Sequence, residues 1–277
     1  MERAAVFGTE GQQRSGSGGG PVPATAGDDS ESRDGEPALC ATESAPDEVT
    51  IGLSVVMPVY DEAATVAAVL DRVLARDEVD EVIVVDDGST DGTAAILETF
   101  GAQPRVRVVH HERNRGKGAA LRTGFEAARG DLVLVQDADL EYHPEDYPRL
   151  LAPFADPAVQ VVYGSRFLEH NWRRGRLHHR LGNRFLTFCS NLCNGQRLTD
   201  METCYKVLRR SVLERLELRS ERFTIEPEIT HGLARLGIRI HEVPIRYDGR
   251  GYGAGKKIGW RDGVAALWTI VRLRFGR

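Results

Sequence analysis

Leu132-Val133-Leu134-Val135-Gln136-Asp137-Ala138-Asp139 is a short apolar run that ends in two carboxylates one residue apart. A run of this length and composition reads as a buried strand. On an extended chain, residues i and i+2 project the same way, so Asp137 and Asp139 are placed to face one hard cation just beyond the strand's carboxyl end. That arrangement suits a metal-bound diphosphate. Acidic triplets also occur in solvated loops, but here the pair follows an apolar strand and Glu141 adds a third carboxylate two positions on. Pro144 then opens a predicted helix over Glu145 to Phe154, with acids in its first turn where the helix dipole favours them.

Working outward, short β-rich apolar runs alternate with helical patterns. Strands are expected at Leu53 to Val59, Glu81 to Val85, Val106 to Val109 and Asp131 to Val135, and helices at Ala63 to Leu74, Thr93 to Phe100 and Gly118 to Ala128. Strand-helix alternation predicts an α/β fold with a mostly parallel sheet and helices on both faces. Ligands bind open sheets of this kind along the strands' carboxyl edge.

The 277 residues suit one large α/β domain preceded by a different kind of segment. Residues 1–50 are rich in Gly, Ser, Pro and acids, with few large apolar side chains, and are expected to form a disordered acidic tail. Because the tail carries much of the negative charge, the net charge of −5 says little about partners. No stretch approaches the roughly 20 apolar residues that cross a bilayer, and Met1-Glu2-Arg3 lacks the order of a secretory signal. A cytoplasmic protein is expected, with no nucleic-acid partner. Cys40, Cys189, Cys193 and Cys204 form no Cys-x-x-Cys pair and read as packing residues, and the pairs His110-His111 and His178-His179 match no metal-ligand spacing.

Three landmarks fall on the carboxyl edge beside Asp137 and Asp139. In Pro58-Val59-Tyr60-Asp61-Glu62, Pro58 ends a strand, Tyr60 offers a face for stacking a base or ribose, and Glu62 accepts hydrogen bonds; strand termination and helix-start acids explain the segment about as well. Val85-Asp86-Asp87-Gly88-Ser89-Thr90-Asp91-Gly92-Thr93 joins strand to helix through a turn and a cap, which alone needs only one of its acids. Asn114-Arg115-Gly116-Lys117-Gly118-Ala119 presents Lys117, a glycine-bracketed cation at a helix start, to phosphate or sugar oxygens. It is neither a P-loop nor a Gly-x-Gly-x-x-Gly fingerprint, which argues against a kinase, an ATPase or a dehydrogenase.

Taken in order, these landmarks and Asp-Ala-Asp resemble the inverting family 2 glycosyltransferases of GT-A fold, over about Leu53 to Lys257. Three further segments make the chain most similar to the dolichyl- or polyprenyl-phosphate mannosyltransferases: Val162-Tyr163-Gly164-Ser165-Arg166, Thr199-Asp200, and Arg250-Gly251-Tyr252-Gly253-Ala254-Gly255-Lys256. The resemblance implies a GT-A domain over residues 51–258. It implies that Pro58, Tyr60, Glu62, Val85 and Asp87 hold the nucleoside, and that Asp137, Ala138 and Asp139 hold the diphosphate and a divalent cation, Mg²⁺ or Mn²⁺. Glu141 is a further metal-ligand candidate, and Arg166, Arg250 and Lys256 would meet phosphates. Asp61 stands where the family usually has Asn, Glu141 where Gln or Ser is common, and Asp200-Met201-Glu202-Thr203-Cys204-Tyr205-Lys206 departs from the family's Asp-x-x-x-Gly-Phe-Lys/Arg form.

The resemblance implies transfer of a hexose from a nucleoside-diphosphate sugar to a polyprenyl phosphate, with Asp139 and Arg166 among the catalytic residues. A saccharide or metabolite hydroxyl is the alternative acceptor, for which Asp200 and Glu202 are candidate bases. A sugar nucleotidyltransferase would carry a Gly-rich basic loop after the first strand, where this chain has Pro58 to Glu62; a non-catalytic nucleotide-binding module is a further alternative. Arg173, Arg174, Arg176 and Arg180 suit a phosphate head group, or a basic solvated face. In residues 259–277, Trp260, Val264, Leu267, Trp268, Val271 and Phe275 recur at helical spacing beside Arg261, Arg272, Arg274 and Arg277. Such an amphipathic helix lies in a membrane surface or packs on the domain, and anchoring by it would need a partner subunit or anionic lipid.

Overall fold

The computed structural model describes residues 52–168, 177–249 and 260–275. Seven strands form one sheet: β1 (Leu53–Val59), β2 (Glu81–Asp86), β3 (Val106–His110), β4 (Leu132–Val135), β5 (Val161–Ser165), β6 (Lys206–Arg209) and β7 (His241–Pro244), in the order β3-β2-β1-β4-β6-β5-β7. The β1–β2, β2–β3, β1–β4 and β5–β7 pairs are parallel, and β6 runs antiparallel to both β4 and β5. This is the expected α/β architecture, with one reversed strand that no local pattern announces. Leu132–Val135 is buried at every position, which accounts for its unbroken apolar run.

The helices are α1 (Val66–Leu74), α2 (Thr93–Gly101), α3 (Lys117–Ala127), α4 (Tyr147–Leu151), α5 (Leu177–Asn194), α6 (Arg210–Leu213), α7 (Ile225–Arg235) and α8 (Trp260–Phe275). Two differ from the sequence reading. α1 starts at Val66 rather than Ala63, because Asp61 takes φ +47° and the following amides are bonded elsewhere. The Asp61, Glu62 and Ala63 amides donate to Ser89 Oγ, Thr93 Oγ1 and Asp91 Oδ2, in the loop after β2 and at the first residue of α2. The expected helix over Glu145 to Phe154 is instead three short pieces, a 3₁₀ turn at Pro144–Asp146, α4, and a 3₁₀ turn at Ala152–Ala155. Pro148 and Pro153 lack the amide hydrogen that a continuous ladder requires.

The core lies between the sheet and its helices and includes Val55, Val56, Val84, Leu121, Leu134, Tyr163, Val207 and Ile229, each fully buried. α3 packs closely on β1 and β2, which brings its first residue, Lys117, to the carboxyl edge. That contact depends on Gly124: a Cβ there would stand 2.3 Å from Val56 Cγ1 and 3.4 Å from Val85 Cγ2. Helix propensity favours Gly→Ala by roughly 1 kcal/mol, whereas overpacking a filled core costs about 1–3 kcal/mol. Gly124→Ala is therefore expected to lower the urea midpoint with the slope of the transition unchanged, a balance that equilibrium unfolding measures directly.

Candidate active site at the carboxyl edge of the sheet

The Asp-x-Asp segment is presented by a residue the motif does not include. Gln136 is fully buried at the end of β4; its Oε1 accepts from Tyr147 Oη and Tyr205 Oη, each at 2.7 Å, and its Nε2 donates to the Asp137 carbonyl at 2.9 Å. A buried amide engaged on both sides is locked in one orientation. Ala138 is buried, and its carbonyl accepts from Thr65 Oγ1, which also bonds Glu62 Oε2. Glu62 is thereby tied to the Asp-x-Asp segment. Leu140 takes φ +60°, turning the chain so that the Glu141 amide donates to Asp139 Oδ1, and Glu141 Oε2 accepts from Tyr247 Oη.

Asp87 is buried with both carboxylate oxygens occupied. Oδ1 accepts from the Arg115 amide and pairs with His111 Nδ1, and Oδ2 accepts from the Gly116 amide at 2.7 Å. It therefore sets the loop that delivers Lys117. Gly116 takes φ +98°, and an added Cβ would stand 2.5 Å from the Glu221 carbonyl, so a side chain is excluded there. Val85 is wholly inside the core, whereas Pro58 and Tyr60 are partly exposed on the strand end facing the Asp87 loop. Pro58 and Val85 are register partners on adjacent strands, which places the two nucleoside-side segments together.

Charge is concentrated beside Asp137. Lys117 Nζ lies 2.9 Å from Asp137 Oδ1 and 3.2 Å from Glu226 Oε1. Burial opposes the Lys117 charge, but Asp137, Cys204 and Glu226 outweigh it and hold the ammonium well above an ordinary lysine. Glu226 also pairs with the fully buried Lys206. Directly after β5, Arg166 is clamped to Asp200 through Nε at 2.6 Å and Nη2 at 2.8 Å, with its guanidinium 5.0 Å from the Tyr247 ring. The Arg166 amide and Asn183 Nδ2 add a third and a fourth bond to the Asp200 carboxylate. Glu242 holds the adjoining turn by accepting from the Thr199 and Asp200 amides.

Glu202 differs from these paired acids. Its Oε1 is shut off from solvent and without a hydrogen-bond partner, and burial, then the nearby Glu226 charge, push its carboxyl up to about 7. Arg250 and Lys256 lie outside the described residues, as do Arg173, Arg174, Arg176 and the segment 1–50. Gln136, His111, Glu226, Lys206 and Glu242 were not legible as site residues. Only the buried strand register of Lys206 and the first-turn position of Glu226 set them apart, and neither names a partner.

The donor types at the edge suit a hard divalent cation, since Asp137, Asp139 and Glu141 all offer carboxylate oxygens. Their arrangement is not a closed cage: among the described residues no three His, Cys, Asp or Glu side chains converge as a metal-holding group. Asp137 faces Lys117, and Glu141 faces Tyr247. The described cysteines, Cys189, Cys193 and Cys204, are free thiols.

The chain is 34% identical over 248 residues to the undecaprenyl-phosphate mannosyltransferase of Micrococcus luteus, covering 80% of this chain and 98% of that one. It is 33% identical over 211 residues to the undecaprenyl-phosphate 4-deoxy-4-formamido-L-arabinose transferase of Edwardsiella ictaluri, covering 74% of this chain but only 62% of the relative's length. Among solved structures, the glucosyl-3-phosphoglycerate synthase of Mycobacterium tuberculosis bound to UDP superposes with a TM-score of 0.64 at 26% identity, covering 80% of this chain and 79% of that one. The same enzyme with Mn²⁺, UDP-glucose and glycerol 3-phosphate superposes with a TM-score of 0.62 at 26% identity, over 80% of each chain. The profile described as Glycosyl transferase family 2 matches residues 54–217, more than half of the chain, and the chain belongs to that family.

Proposed function

We propose that this glycosyltransferase is metal-dependent and inverting, and moves a hexose from a nucleoside diphosphate of the GDP-mannose or UDP-glucose type to a polyprenyl phosphate. The observation that carries the reading is the rigid presentation of Asp137-Ala138-Asp139 by Gln136 at the edge where the Glu62 and Asp87 loops also end. The undecaprenyl-phosphate transferases among its relatives and the UDP complexes among its structural neighbours support it.

A divalent cation, Mg²⁺ or Mn²⁺, bound there would neutralise the departing diphosphate, and Asp139, with Asp137 and Glu141 beside it, is the set to hold it. The remaining roles belong to the chain. Pro58, Tyr60 and Glu62 border the nucleoside, with Val85 and Asp87 shaping that wall from within the fold. Lys117 meets phosphate or sugar oxygens, and Arg250 and Lys256 meet phosphate. A lipid phosphate is already an anion at neutral pH and needs no base. In this reading Asp200 positions Arg166, and Arg166 in turn supports Tyr247 and Glu141.

A hydroxyl acceptor is the second reading, and Glu202 favours it: a half-buried residue whose carboxyl is pushed up to about 7 is poised to take a proton near neutrality. The raised value also sets a pH dependence. Between the ordinary carboxylate value of 4.5 and about 7, the folded protein keeps a proton that the unfolded chain has released, so stability falls as pH rises through that window.

The lipid acceptor would bring the enzyme to a bilayer. α8 buries Ala266, Thr269 and Ile270 against α5 and α7 and leaves Val264, Trp268, Val271 and Phe275 exposed; α5 leaves Leu181, Phe185, Phe188 and Leu192 exposed at the same spacing. Arg184, Arg272 and Arg274 are exposed on these helices, and residues 177–194 contain no carboxylate. No described helix is long and apolar enough to cross a membrane. The pair is suited to rest on an anionic lipid surface at the cytoplasmic face.

Incubation with polyprenyl phosphate and labelled GDP-mannose or UDP-glucose is expected to yield a lipid-linked sugar only when Mg²⁺ or Mn²⁺ is present, and Asp139→Asn is expected to reduce kcat/KM at least about 100-fold. Turnover confined to soluble acceptors with either donor would reject the lipid reading. For Glu202, thermal unfolding of Glu202→Gln should show the stability difference between pH 5 and pH 8 shrinking by roughly 2 kcal/mol, and lipid-phosphate transfer should survive while hydroxyl transfer does not. Sedimentation with phosphatidylglycerol vesicles tests the helix pair: Phe188→Glu with Trp268→Glu should weaken binding about tenfold, with the circular dichroism spectrum unchanged.

A further inference from the structure

The carboxylate expected to face a metal already faces a cation of the protein's own. From the core outward, charges alternate along one line: Lys206 ammonium, Glu226 carboxylate, Lys117 ammonium, Asp137 carboxylate. The inner end is fixed. Lys206 is fully buried, and its three ammonium protons find three acceptors, the Met201 carbonyl, the Thr203 carbonyl and Glu226 Oε2. Glu226, in the first turn of α7, is thereby committed on one oxygen and turns the other, Oε1, toward Lys117. The outer end is open, since the Asp137 side chain retains 24% of its surface in contact with solvent.

An ammonium and a divalent cation cannot share one carboxylate oxygen without like charges meeting at close range, where their repulsion is only partly screened. A metal binding at Asp137 in the absence of other ligands would leave Lys117 with Glu226 alone and set a second cation close beside it in a half-buried cluster. A nucleoside diphosphate removes that obstacle, because its phosphate oxygens give Lys117 a replacement for Asp137. We propose that in the donor-free protein the Lys117 ammonium, anchored by Glu226 and Lys206, occupies the place on Asp137 that a divalent cation would take, so that the metal enters with the diphosphate rather than ahead of it. The proposal rests on the nucleotide-sugar reading above, and it makes Glu226 and Lys206 positioning residues that act through Lys117.

Mn²⁺ binding to nucleotide-free protein, measured by titration calorimetry and by loss of the free-ion electron paramagnetic resonance signal, tests it in four proteins: wild type, Lys117→Gln, Asp137→Asn and the double variant. Lys117→Gln is expected to tighten Mn²⁺ binding about tenfold, within the usual range of coupling between sites. Asp137→Asn is expected to change wild-type binding little and to erase the gain in the Lys117→Gln background. In the wild type, UDP or GDP should tighten Mn²⁺ binding, and Lys117→Gln should reduce that enhancement. Unchanged or weaker Mn²⁺ binding in Lys117→Gln overturns the proposal. So does a tenfold loss in Asp137→Asn alone, a comparison that needs no folded Lys117 variant. If wild-type protein binds neither UDP nor GDP with any of these ions, the nucleotide-sugar reading itself fails, whatever the Lys117 comparison shows.

Discussion

The site depends on one constraint: a strand buried on both faces must end by handing carboxylates to the surface without leaving charge or polar groups unmatched behind them. Gln136 stands at that boundary. Its amide is fully buried and would be costly if unpaired, yet two tyrosine hydroxyls and the Asp137 carbonyl satisfy it. Immediately beyond, Lys117, Glu226 and Lys206 balance Asp137 and one another. A buried ion pair adds little net stability when complete but costs several kcal/mol when one partner is removed. The alternating row therefore acts less as reinforcement than as a specification of where each charge must be.

The neighbouring acids follow the same logic. Asp87 and Glu242 both use their carboxylates to organise backbone amides, Asp87 at Arg115 and Gly116, Glu242 at Thr199 and Asp200. Each turns an acid into a loop clamp, and each clamp sets a cation in place, Lys117 in one case and, through Asp200, Arg166 in the other. Glu202 Oε1 has no such partner among the described residues, and burial together with the nearby Glu226 charge pushes its carboxyl up.

Legibility in the sequence followed the range of the interactions. β1, β2, β3 and β4 were readable because apolar runs and turn residues are local signals, and their limits differ from the observed ones by a residue at most. The start of α1 was misplaced because the Ser89, Asp91 and Thr93 side chains that cap its approach come from a loop some 28 residues away. Pro148 and Pro153 announce the breaks in the Glu145 to Phe154 segment, but the expected helix rested on Pro144 and the acids of its first turn. The reversed strand β6 and the partners of Lys206 and Glu226 were out of reach, since nothing local distinguishes a lysine on a strand from one facing solvent. The Asp-x-Asp pair itself was readable; that Lys117 would stand against it was not.

The exposed faces of α5 and α8 and the charged row lie on different elements, yet they answer to one requirement. On the lipid-acceptor reading proposed above, the acceptor is fixed to a surface while a nucleotide sugar arrives from solution, so the chain would meet two ligands from two media. The residues that α8 buries, Ala266, Thr269 and Ile270, join it to α5 and α7, and α7 carries Glu226 in its first turn. The helix proposed to rest on lipid is therefore packed directly on the helix that carries Glu226, the partner of Lys117. Had α8 packed on the sheet, its exposed stripe would have no such connection. Because it packs on α7, the exposed stripe of α8 lies one helix away from the residue that holds Lys117 beside Asp137.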